Sequence, residues 1–176
     1  HRHPDAGSIQ PKVLRMPNRY ILDSTGVLIY KDMSAISRGQ GERDVGQYNQ
    51  EEEVFGTSAS AALYTRRALE DVALGKDEYF DRDYFAYYED VDLAWRLRLR
   101  GFHSFYAPRA CVYHVHSATG KRHSPFKSFH IHRNQYYNMI KNLPVGALLR
   151  ALAFMPVRYL LLLSSVLRKK GSSAKL

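Results

Sequence analysis

The chain has 176 residues, 45% apolar and 12% aromatic, which fits one domain with a sizeable core and excludes a disordered composition. Its net charge of +9 is unevenly laid out: all seventeen acids fall in residues 1–92 beside eleven Lys/Arg, while residues 93–176 carry fifteen Lys/Arg and no acid. That polarity predicts an anionic partner for the second half, and nucleic acid, phospholipid headgroups and phosphorylated small molecules all qualify.

In chain order, the opening His1-Arg2-His3-Pro4 has no initiator Met and no apolar leader, so it reads as the interior of a longer chain. Ser8 to Leu14 is predicted as a short strand whose Pro11 suits an edge or a strand start. Tyr20 to Tyr30 reads apolar, turn, apolar, a hairpin bending near Gly26. Residues 37–50 hold three glycines and little apolar content and are expected to form a loop, long enough to be functional or mobile. Val54 to Tyr64 is rich in small residues entering a strand, which means either close approach of a ligand to the backbone or tight strand packing. A helix is predicted from Arg66 to Ala73, ending near Gly75.

The densest signal is Tyr87-Tyr88-Glu89-Asp90-Val91-Asp92-Leu93, three carboxylates in four residues at the start of a helix that runs to about Arg100 and stops at Gly101. Acids there are favoured by free N–H groups and the helix dipole, so a capped helix is the plain reading. Two short strands follow, Phe102–Tyr106 and Ala110–His114, separated by Pro108. Phe126 to Lys141 has helical spacing with Phe129, Tyr136 and Ile140 on one side. Cys111 is the single cysteine, which excludes an internal disulfide and fits a reducing compartment.

Val145 to Leu167 is strongly apolar, yet Arg150 and Arg158 interrupt it and Pro156 falls inside it. Each central Arg costs about 2.5–3.5 kcal/mol in a membrane span. The two arginines lie roughly 80° apart on a helix and can share one side. An in-plane interfacial helix, with Arg168, Lys169, Lys170 and Lys175 on anionic lipid, is favoured over a transmembrane span. A packed or self-associating C-terminal helix stays open as the alternative.

The ordered set Phe55-Gly56-Thr57-Ser58, Phe80-Asp81-Arg82-Asp83, Tyr88-Glu89-Asp90-Val91-Asp92-Leu93-Ala94-Trp95-Arg96, Gly101-Phe102, Tyr106-Ala107-Pro108, Val112-Tyr113-His114 and Arg133-Asn134 resembles the acceptor-side half of family 2 inverting glycosyltransferases of the GT-A fold. The branch it is similar to includes bacterial rhamnosyltransferase-like enzymes, and the likeness covers roughly residues 5–142. It implies an α/β fold: the C-terminal part of a GT-A, Rossmann-like domain with a mixed sheet (1–142), lacking the N-terminal nucleotide-binding half, followed by a basic, apolar helix at the membrane interface (143–176).

The resemblance further implies roles. Asp90 is the expected base, with Glu89 holding the acceptor or tuning that base. Gly56, Thr57 and Ser58 match the loop beside the sugar donor. Tyr88, Trp95 and Arg96 join the substrate-binding set, although packing and bracing suit Trp95 and Arg96 as well. His114 matches the histidine that helps bind a divalent metal, Mg or Mn, whose other ligands are expected from the missing half. Asp92 is expected to support the helix start. Asp81-Arg82-Asp83 has the letters of a metal motif but is read as coincidence from its place in the chain. His116 is either a metal partner of His114 or a polar strand residue, and His130 and His132 either meet phosphate or lipid or lie on solvated surface.

The expected partners are a nucleotide-diphosphate sugar, a glycan or polyprenyl-diphosphate-linked acceptor and an anionic membrane surface, at the cytoplasmic face of the plasma membrane, without nucleic acid. Without a donor-binding half the chain alone is expected to transfer sugar poorly and to be marginally stable. Two rivals remain: a basic nucleic-acid module stacking bases on Tyr106, Tyr113, Phe126, Phe129, Tyr136 and Tyr137, or a non-catalytic assembly subunit.

Overall fold

The computed structural model of the protein describes residues 3–115 and 124–173; His116, Lys175 and the side chains of Arg168, Lys169 and Lys170 lie outside what it describes. Among the described residues, seven strands, β1 (Ala6–Arg15), β2 (Leu22–Ser24), β3 (Val27–Ile29), β4 (Ala35–Ser37), β5 (Glu52–Val54), β6 (Leu63–Tyr64) and β7 (His103–His114), combine with four α-helices, α1 (Arg66–Asp71), α2 (Glu89–Leu99), α3 (Pro125–Asn142) and α4 (Val145–Ser173). The fold is mixed α/β. β1 and β7 run parallel as the spine of a five-stranded sheet ordered β2-β1-β7-β5, with β6 also pairing β1; β3 and β4 form a separate hairpin.

The expected edge strand is therefore an interior one. Pro11 is tolerated there because the register jumps from Pro11 opposite Ala107 to Lys12 opposite Cys111, leaving Pro108, Arg109 and Ala110 as a bulge in β7. The same bulge fuses the two short strands predicted around Pro108 into one of 12 residues. The predicted hairpin at Tyr20–Tyr30 also divides differently: β2 pairs with β1 and β3 with β4. Gly26 makes that change of partner at φ +127, where a Cβ would stand 2.9 Å from Val54 Cγ1. The loop at 37–50 is tied to the sheet, since Lys12 Nζ donates to Asp44 Oδ2 at 2.8 Å and to Asn49 Oδ1 at 2.9 Å.

α2 follows the sequence closely. Leu93 and Leu97, one turn apart, are buried with Ala68, Val72 and Phe102. Such burial stabilises by about 1.5–3 kcal/mol for each large side chain. Gly101, at φ +80, ends the helix.

α3 is inverted relative to expectation. Phe129, Tyr136 and Ile140 are exposed, whereas His130, Asn134, Gln135, Asn138, Met139 and Asn142 are buried. Two of the inward polar side chains reach partners elsewhere in the fold: Gln135 donates to the Asp32 carbonyl at 2.8 Å and Asn142 to Asp92 Oδ1 at 2.8 Å. His130 is buried as well, its Nδ1 2.9 Å from the Phe126 carbonyl and its ring 4.1 Å from that of Phe126, so it is not solvated surface.

α4 continues past Pro156 and packs Ala151 and Met155 onto Met139. Arg158 turns inward to Asp32, so the two arginines do not share one outward face as the spacing allowed. Leu149, Leu160, Leu161 and Leu163 are exposed. Among the described residues no helix is long and apolar enough to cross a membrane. Of the aromatics that a nucleic-acid reading would stack on bases, Tyr106 is fully buried.

Candidate active site

A cleft of about 600 Å³ lies between the β3–β4 hairpin, the start of α2 and the inner sides of α3 and α4. The chain enters α2 through a tight turn in which Phe85, Tyr87 and Tyr88 all have positive φ (62°, 67° and 71°). Left-handed backbone at non-glycine residues costs on the order of 1–3 kcal/mol each and persists only where its surroundings enforce it. The turn delivers Glu89 and Asp90 to the cleft wall at the N-terminal end of α2.

The two carboxylates are held differently. Asp90 Oδ2 accepts the Ala59 N–H at 3.0 Å and Oδ1 accepts the Val91 N–H at 2.9 Å. Burial pushes the Asp90 carboxyl above its ordinary pKa, against the pull of those N–H groups. Glu89 is pushed up as well, first by burial and then by the charge of Asp90. Its Oε2 is buried without a hydrogen-bond partner among the described residues. One acid is thus oriented by backbone donors and the other retains an unused acceptor, an arrangement suited to taking a proton from a bound hydroxyl.

Facing the pair are Ser58, Ala59 and Ser60. Their loop is pinned to β1, since the Ser58 N–H donates to Gln10 Oε1 at 2.7 Å. Gly56 and Thr57 sit behind this wall and do not line the cleft. A Cβ on Gly56 would overlap Ala94 Cβ, and the buried Thr57 hydroxyl bonds Tyr64 Oη at 3.0 Å. The small residues there serve close packing against α2. Tyr88 lines the cleft, its phenol oxygen accepting the Ala35 N–H at 2.8 Å.

Trp95 and Arg96 point away from the cleft. Trp95 packs edge-on to Phe55, with ring centroids 5.0 Å apart. Arg96 donates to Asp92 Oδ2, the Val72 carbonyl and the Tyr79 carbonyl at 2.8, 2.6 and 2.7 Å. Asp92 is enclosed, accepting from Tyr84 Oη, Arg96 and Asn142. Asp81 and Asp83 both pair with Lys141, at 2.6 and 2.7 Å, and neither lines the cleft.

His114 does reach the cleft, its Nδ1 2.7 Å from Asp23 Oδ2. Arg15 Nε donates to Asp23 Oδ1 at 3.1 Å. A carboxylate on Nδ1 fixes the ring, as it does behind many metal-binding histidines. Among the described residues no three His, Cys, Asp or Glu side chains converge into a metal site.

Sequence reasoning missed several lining residues: Asp23, Asp32, Lys127, Arg158 and Tyr159. Asp32 gave no local signal. Arg158 gave one, because a charge inside an apolar helix implies a partner, and that partner is Asp32, whose side chain is only 5% exposed. His132 is exposed, as the surface reading has it, and also borders the cleft.

A mixed sheet with a half-buried acid pair over an open cleft suits a group-transfer enzyme, and comparison with known proteins gives the class. The chain matches glycosyl transferase family group 2 over residues 1–170 and belongs to that family. It is 33% identical over 143 residues to N-acetylglucosaminyl-diphospho-decaprenol L-rhamnosyltransferase from Mycobacterium tuberculosis, in strains CDC 1551 / Oshkosh and ATCC 25618 / H37Rv. The alignment covers 77% of this chain and 42% of each relative, so the chain spans less than half the length of the curated proteins it matches.

Proposed function

We propose that this chain is the acceptor-side part of a GT-A inverting glycosyltransferase. It moves rhamnose or another deoxyhexose from a nucleotide-diphosphate donor to a polyprenyl-diphosphate-linked glycan during cell-surface polysaccharide synthesis. The observation that carries the proposal is the Glu89–Asp90 pair, two carboxylates raised by burial on the wall of a cleft that also holds Lys127, Arg158, His114 and His132. The names of the mycobacterial relatives support the sugar and the acceptor class.

In this reading Asp90 takes the proton from the acceptor hydroxyl as that oxygen attacks the anomeric carbon from the side opposite the diphosphate. Glu89 uses its unpaired oxygen to hold the acceptor. Ser58 and Tyr88 border the sugars, while Lys127 and Arg158 offset diphosphate charge. A divalent Mg or Mn ion fits only as a shared ligand: His114 would contribute one nitrogen, with the diphosphate and residues beyond this chain supplying the rest, and the ion would neutralise the leaving group. The exposed leucines of α4 and the basic C-terminal half would rest on the anionic inner face of the membrane. Residues 1–142 then form the transferase body, and the segment 143–176, through α4, serves both the membrane and the cleft.

The test is transfer by the full-length protein from dTDP-rhamnose to a synthetic N-acetylglucosaminyl-diphospho-lipid, with the product anomer read by NMR. Inverted product supports the reading, and absence of transfer with every deoxyhexose donor overturns it. For the membrane contact, Leu160→Glu with Leu161→Glu is expected to weaken flotation with anionic vesicles at unchanged melting temperature.

A further inference from the structure

We propose that Asn134 and Arg133 of α3 are positioning residues for the Glu89–Asp90 pair, acting through the strained turn that presents it. The proposal rests on reading that pair as the transfer centre. The side-chain amide nitrogen of Asn134, a fully buried residue, donates to three carbonyls of the turn: Tyr84 at 2.9 Å, Ala86 at 2.8 Å and Tyr87 at 2.6 Å. Arg133 Nη2 donates to the carbonyls of Asp83 and Tyr84 at 3.1 and 2.9 Å. Arg133 Nε also donates to Asn134 Oδ1 at 2.9 Å. That last bond sets which end of the amide faces the turn: oxygen to the guanidinium, nitrogen to the carbonyls.

The physical need is specific. With Phe85, Tyr87 and Tyr88 at positive φ, the turn gathers its carbonyls toward α3. A buried carbonyl without a donor costs about 1–3 kcal/mol; the amide serves the carbonyls of Ala86 and Tyr87 and shares that of Tyr84 with Arg133. Aspartate at 134 would place lone pairs against those carbonyls, and leucine would match the volume without any donor. The far side of the turn is fixed too: Tyr84 Oη donates to Asp92 Oδ1 at 3.2 Å, and the Tyr88 phenol takes the Ala35 N–H. Glu89 follows Tyr88 directly. If Tyr87 and Tyr88 relaxed to negative φ, the first turn of α2 would rotate away from the Ala59 N–H that orients Asp90. The turn thus accounts for Asn134 on the inward polar face of α3, while Gln135 and Asn142 serve Asp32 and Asp92.

The experiment uses the full-length protein carrying Asn134→Asp, Asn134→Leu or Arg133→Gln. Two quantities are read: kcat and KM for transfer, and amide hydrogen exchange over residues 85–90. The Asn134 variants are expected to lose about 100-fold in kcat, the size of effect a misplacement near 1 Å produces, with both KM values within about threefold. Exchange across the turn is expected to speed up. Arg133→Gln, which keeps the amide but frees its orientation, should give a smaller kcat loss in the same direction. A folded Asn134 variant with unchanged kcat, or a KM that rises as far as kcat falls, overturns the proposal. If the Asn134 variants fail to fold, Arg133→Gln decides, and unchanged kcat with unchanged exchange overturns it. A wild-type protein that transfers no sugar sinks the transfer reading alone; exchange then still judges the clamp, upheld if the variants speed it and refuted if they do not.

Discussion

Arg158 Nε lies 3.0 Å from Asp32 Oδ2, which joins the C-terminal helix to the wall of the cleft. Asp32 is fixed in turn, its Oδ1 accepting both the N–H and the hydroxyl of Ser34 at 3.2 and 2.7 Å. Arg158→Met keeps the stem and removes the charge, leaving a buried carboxylate oxygen unpaired. It is expected to lower stability by about 1–3 kcal/mol and to loosen α4. Urea unfolding and amide exchange over residues 151–160 check both effects.

The acid pair makes stability depend on pH in a definite direction. Burial raises both folded-state pKa values above those of the unfolded chain. The two groups therefore favour folding below the ordinary carboxylate range, and that contribution is lost as pH rises through the raised folded values. At neutral pH the ionised pair opposes folding. Glu89→Gln should melt at a higher temperature than wild type there, with the gain shrinking as pH falls toward ~4. Because the base must be ionised, the acid limb of the rate profile should lie above the normal aspartate range. Thermal melts and initial rates across pH test the two statements separately.

Asp90 and Asp92 lie two positions apart with opposite expected phenotypes. Asp90→Asn should cut transfer by about 10²–10⁴-fold, the usual worth of a positioned base, with little loss of stability. Asp92→Ala strips a partner from Tyr84, Asn142 and the partly buried Arg96. Breaking such a buried pair costs about 3–5 kcal/mol, so the variant should show a strongly lowered denaturant midpoint. Chemical denaturation beside transfer assays separates the two.

Gly56→Ala tests the packing under the cleft wall. The added methyl would collide with Ala94, and overpacking of this kind costs about 1–3 kcal/mol. Adding Ala94→Gly should restore part of that loss, less about 1 kcal/mol for glycine in a helix interior. A double-mutant cycle by urea unfolding gives the coupling.

Much of α2 was legible in the sequence. Its acidic start, the Leu93/Leu97 spacing and the stop at Gly101 are local signals, each set within one or two turns of chain. The adjacency of Glu89 and Asp90 was likewise fixed by covalent order. α3 was misread because periodicity weighs apolar residues alone, and here most of the buried face is polar, with Asn134, Gln135 and Asn142 finding partners in other segments. Gly56 was picked as unusual, and of the two readings open for it the structure shows tight packing, with Ala94 of α2 directly behind it.

By itself, then, the sequence determined the family, the helix carrying the acid pair and the identity of those acids, because each rests on short-range chemistry. Only the tertiary structure decided that β1 is an interior strand, that Asp23 meets His114 across 91 positions, that Gln135 reaches Asp32 across 103 and that Arg158 pairs with Asp32 at the cleft wall. Those pairings depend on parallel register and on which buried polar groups find partners, and a one-dimensional pattern of residue types does not encode either.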